Sequence, residues 1–211
     1  MVRGFEYQAD RGDDLSGGRY RIESLNQGLA RFWSDSKGWA PVEAAGLLSK
    51  ARLDWQVSLS GTLRLWDRDE HTTLTDGELI LAWTNLGSLL EGSLKLLLSV
   101  YYKDYAADLE VLKKSKAYDN QKSKPHLPDG LTLEPLRLFM KARDLLSADG
   151  HKLLELVQQR RNAIHAFKNR PIGNEAEFQG AVRCYLALLR SVNERLPYPD
   201  DLYQPREAVS A

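Results

Sequence analysis

The chain has 211 residues, enough for one domain with an N-terminal extension, and its 29 Lys and Arg balance 29 Asp and Glu. A zero net charge excludes a globally basic nucleic-acid binder, so any basic face must be local. The lone Cys184 excludes a disulfide framework and a cysteine-rich zinc site, and reads as a small core residue.

The pattern is helical nearly throughout. Residues 1 to about 20, rich in Gly and Asp, predict an irregular arm. Arg21 to Trp33 carries Ile22, Leu25, Leu29 and Phe32 at helical spacing. Pro41, suited to a first helical turn, opens a segment to about Trp66 with Leu47, Leu48, Ala51, Trp55, Leu59 and Leu63 on one stripe. The five tryptophans predict core or dimer-interface packing, since no aromatic–basic alternation marks a stacking platform. His71, in the charged turn Asp67-Arg-Asp-Glu-His, matches no standard ligand spacing, and no metal or other cofactor is expected.

Thr75-Asp-Gly-Glu78 predicts a capping box that starts the longest helix, about 76 to 115. Its leucines (Leu86, Leu89, Leu90, Leu94, Leu96, Leu97 and Leu98) are apolar on most sides and mark the central helix. Leu86 to Tyr102, interrupted by Glu91 and Lys95, is too short and polar to span a membrane. Met1-Val-Arg-Gly-Phe-Glu lacks an apolar signal core, so a cytoplasmic protein with no membrane partner is expected. Tyr118 to Gly130, with Pro125, His126 and Pro128, predicts a loop. Helices follow over Leu133 to Leu146 and Lys152 to about Lys168, with Ser147-Ala-Asp-Gly150 between them and His151 at a helix start. Asn174-Glu-Ala-Glu177 predicts the cap of a last helix, to about Leu196, with Val182, Tyr185, Leu186, Leu189 and Val192 inward. The fold class expected is all-α. The expected organisation is an arm (1–20), an N-terminal helical extension (21–75), a bundle (76–200) and a tail (201–211).

The segment with most chemistry is Gln159 to Arg170, QRRNAIHAFKNR. Arginine is a permanent cation with a planar fork of donors suited to phosphate, and histidine titrates near neutrality. Residues 151–170 hold Lys152, Arg160, Arg161, Lys168 and Arg170 against Glu155, and residues 111–124 carry a second basic run. On a continuous helix Arg161 and His165 would share a face, with Asn162 beside them. Leu153, Leu156 or Val157, Ile164 and Phe167 would form the apolar stripe. Arg160 falls inside that stripe and needs a partner, for which Glu91 is a candidate.

Arg160-x4-His165, the polar Asn162 and the ending His165-Ala166-Phe167 resemble the signature of the HEPN superfamily: an arginine, four to six intervening residues, then a histidine. The resemblance covers about Asp76 to Arg195. In families with Arg directly before Asn the gap to the histidine is usually longer. Arg161 has only three residues between it and His165, so which arginine takes the family role stays open. The resemblance implies a HEPN-like helical bundle, to which residues 21–75, outside the resemblance, add extra N-terminal helices. It implies a homodimer with facing motifs, and either a metal-independent ribonuclease of toxin–antitoxin or antiviral defence systems or a silent module binding nucleotide, RNA or a protein partner. In the first case Arg160, Arg161, Asn162 and His165 would be catalytic, Lys168 and Arg170 would bind the RNA substrate, and an antitoxin or other protein partner would be expected.

Overall fold

The computed structural model describes residues 15–67 and 72–208. Of the irregular arm expected over residues 1–20, residues 1–14 lie outside the described residues, as do His71 with the rest of the charged turn after Asp67 and the tail beyond residue 208. The molecule is a helical bundle. Its helices are α1 (Leu15–Trp33), α2 (Val42–Leu48), α3 (Leu53–Gly61), α4 (Asp76–Val100), α5 (Tyr102–Ala107), α6 (Leu109–Lys114), α7 (Leu133–Ala142), α8 (Ala148–Arg161) and α9 (Glu175–Arg195). Among the described residues the only sheet is a two-residue antiparallel pair, β1 (Tyr118–Asp119) with β2 (Lys124–Pro125).

The central helix starts where the sequence places it. Thr75 Oγ1 accepts from Glu78 N at 3.3 Å and the Glu78 carboxylate accepts from Thr75 N at 2.8 Å, so each satisfies a donor the helix end leaves open. All seven leucines singled out in α4 are buried, and α7, α8 and α9 pack around them. Val182, Tyr185, Leu186, Leu189 and Val192 of α9 are buried as their spacing predicts. No helix of the described residues is long and apolar enough to cross a membrane.

Several boundaries differ from expectation. The helix expected over 76–115 is three: α4 ends at Val100, and α5 and α6 follow with breaks at Tyr101 and Asp108. Tyr101 leaves helical geometry (ψ 35°) with its hydroxyl donating to the Arg195 carbonyl, and Asp108 restarts the chain by capping Val111 N at 3.3 Å. The segment from Pro41 to Trp66 is α2, α3 and a 3₁₀ turn rather than one helix, and Trp55 of its predicted stripe is exposed, under the Arg52 guanidinium at 4.0 Å. Trp33 and Trp83 are core residues, whereas Trp39 is exposed. Ser147 is a cap rather than part of a spacer: its Oγ accepts from Gly150 N at 3.1 Å, so α8 begins four residues before Lys152.

The N-terminal helices join the same core. α1 starts at Leu15, inside the segment expected to be irregular, because Arg19 is drawn into the interior. Its guanidinium lies 2.7 Å from Asp67 and donates to Gln179 of α9. α1 packs against α3 and α9, and residues 205–208 fold back on it, with Ala208 N donating to Ser24 Oγ.

Candidate functional site

The motif helix is shorter than its sequence suggests. α8 ends at Arg161, Asn162–Ile164 form one 3₁₀ turn, and His165 leaves the helix at φ −85°, ψ 80°. Arg161 and His165 therefore do not share an α-helical face as expected. Of the predicted apolar stripe, Leu153 and Val157 are buried, while Ile164 is 46% and Phe167 106% exposed. The Lys168 amide donates to the His165 carbonyl at 3.2 Å, which closes a turn and turns the aromatic outward.

The two arginines have different work. Arg160 is gripped by the last helix: Nε and Nη2 donate to the two oxygens of Glu177 at 2.8 and 3.0 Å, and Nη1 donates to the Pro171 carbonyl at 2.9 Å. This bidentate bond, with its charge interaction, raises the Arg160 pKa further above its ordinary value. Every guanidinium nitrogen of Arg160 is engaged. Arg161 instead sends only Nη1 to Glu91 of α4, at 2.7 Å. Glu91, the candidate partner of Arg160, pairs with Arg161 instead, because Arg160 is taken by Glu177. Nε and Nη2 of Arg161 have no partner among the described residues.

Glycine makes room for both. Gly87 lies under Arg161, where a β-carbon would stand 2.7 Å from Cδ. Gly173 has φ +72°, and a β-carbon there would stand 1.9 Å from the Glu177 carboxylate. Gly173→Ala is therefore expected to cost about 1–3 kcal/mol, read as a lower urea midpoint with unchanged slope. An unchanged midpoint would show that the Arg160–Glu177 contact is dispensable.

The loop between α8 and α9 is fixed at its far end by three groups. Arg160 holds the Pro171 carbonyl, buried Trp83 donates from Nε1 to the Ile172 carbonyl at 2.8 Å, and Asn174 Oδ1 accepts from Glu177 N at 2.9 Å. Asn174 caps α9 as predicted, but the Glu177 side chain does not reach back to complete a capping box. It turns to Arg160 instead, a role that its position three residues after a cap concealed.

His165 is exposed, and neither ring nitrogen is bonded to any of the described residues. Asn162 offers it only a backbone contact, His165 N donating to Asn162 O at 3.2 Å; no side-chain bond orients the imidazole. Lys168 is exposed, and Arg170 is half-buried with its Nε unpartnered. The structure thus brings His165, Asn162 and Lys168 onto one short loop and sets Arg161 at its start. Arg160 is in the support beneath. Comparison with known proteins finds no match among family models, curated proteins or solved structures.

Proposed function

We propose that the chain is a HEPN-type endoribonuclease, of the kind used as toxin or antiviral defence effector, that cuts RNA without metal at a site shared by two protomers. The observation that carries this reading is the exposed imidazole of His165 between Ile164 and Phe167, two apolar side chains left in water on a loop pinned at its far end. Burying a phenylalanine is worth about 1.5–3 kcal/mol, so a second copy seated on this loop gains stability while bringing a second histidine to the first. One imidazole then takes the proton of the 2′-hydroxyl and the other protonates the leaving 5′-oxygen.

Arg161, with Nε and Nη2 unengaged, is the arginine assigned to the scissile phosphate and its developing charge. Arg160 holds the loop. Lys168 and Arg170 would bear on neighbouring phosphates, and Asn162 would set the backbone from which His165 projects. Purified protein incubated with tRNA and mRNA in EDTA should yield 2′,3′-cyclic phosphate and 5′-hydroxyl ends. Abolition of cleavage by chelation would overturn the mechanism.

A second reading draws on the pairing of Arg160 and Arg161 with Glu177 and Glu91, which neutralises much of the motif's charge within the chain. It is a silent bundle that uses the same face to bind nucleotide, RNA or a protein partner such as an antitoxin. Failure of the wild type to cut any RNA would favour it. Both readings include the homodimer. Light scattering at micromolar concentration should give twice the chain mass, falling to one for Phe167→Asp. A wild-type monomer would remove the shared site.

A further inference from the structure

At the other end of α4 a cavity of about 660 Å³ opens between α4, α5, α7 and α9. Leu97, Leu98, Tyr105, Phe139 and Leu145 line it, together with one unusual charge, Arg195. This volume lies in the range of small-molecule sites, which are mostly apolar with a few placed polar groups.

Arg195 is the last residue of α9 and is half-buried. Its Nη1 donates to the Leu145 carbonyl, and the Tyr101 hydroxyl donates to its backbone carbonyl rather than engaging the guanidinium. No carboxylate of the described residues pairs with it. Arg143, also lining the cavity, is already matched by Asp108 at 2.8 Å. Burial holds the Arg195 pKa below its ordinary value, with only Tyr101 opposing the fall. Half-buried cations in apolar walls are ordinarily paired, and this one faces a cavity instead.

We propose that the cavity binds an amphipathic monocarboxylate of about ten carbons, its head on the free donors of Arg195 and its tail along Leu97, Leu98, Tyr105 and Phe139. A single negative charge fits better than a phosphate dianion, because Asp104 and Asp108 also line the cavity. An alkylammonium would meet Arg195 head-on.

The full chain is titrated calorimetrically with decanoate, decanol and decylamine, each below its aggregation threshold. Decanoate should bind about ten- to hundredfold more tightly than the other two. Arg195→Met should abolish that preference. Ala107→Trp, which adds an indole at an exposed position of the cavity lining and leaves the Arg195 side chain and the Leu145 carbonyl unchanged, should weaken binding of all three. Equal affinity for decanoate and decanol, preference retained in Arg195→Met, full binding by Ala107→Trp, or no decanoate bound at millimolar concentration would each overturn the proposal.

Discussion

His165→Ala is expected to slow RNA cleavage by about 10²- to 10⁴-fold, the usual loss when a positioned acid or base is removed. The side chain is exposed and makes no bond to the described residues, so its removal should leave the thermal midpoint unchanged. That separation makes the measurement decisive: a fall in rate with intact stability is a chemical effect. A variant that cuts as fast as the wild type would remove His165 from the mechanism. Arg161→Lys should also cut slowly, because an ammonium lacks the planar fork that engages Glu91 and phosphate together. In a shared site, mixed dimers of wild-type and His165→Ala chains should fall well below half of the wild-type rate, since each scission draws on both histidines.

The largest loss of stability is expected from Trp83→Ala. Trp83 is fully buried, sits edge-on to Phe178 with ring centroids 5.2 Å apart, and donates to Ile172 O. Truncation should cost about 3–5 kcal/mol, a large share of the 5–15 kcal/mol that usually separates folded from unfolded domains. Trp83→Phe keeps most of the ring and removes the donor, leaving the Ile172 carbonyl unpaired at about 1–3 kcal/mol. Urea denaturation of the two variants separates packing from hydrogen bonding. A Trp83→Phe midpoint equal to that of the wild type would mean that the indole nitrogen contributes nothing to holding the segment.

Local signals served well where the chain's own neighbours decide the outcome. Thr75 and Glu78 close a capping box within four residues, and the α4 leucines are apolar on so many sides that burial was the only use for them. What sequence could not show were decisions made from a distance. Ala163 to Lys168 has no Gly or Pro and reads as helix, yet α8 stops at Arg161, whose neighbour Arg160 reaches forward to Pro171 and Glu177. The break at Tyr101 likewise coincides with a bond to Arg195, 94 residues away. Gly17 and Gly18 suggested an irregular arm, but Arg19 finds Asp67 and Gln179 inside and the helix runs through. At the site, the cluster was visible and its division of labour was not. Adjacent arginines look alike in sequence and differ only in which carboxylate lies within reach.

The Arg160 grip has a meaning in chain statistics. The bond from Arg160 to Pro171 joins residues eleven apart and closes a ring with His165 near its middle. Loop closure costs configurational entropy that grows only slowly with length, and here folding has already met that cost. An imidazole carried on such a ring keeps its own rotation while its backbone is confined to a small volume. In the proposed dimer, two such rings would have only the imidazole rotations left to order once the chains have met, and the entropy of assembling the shared site would fall mainly on their encounter.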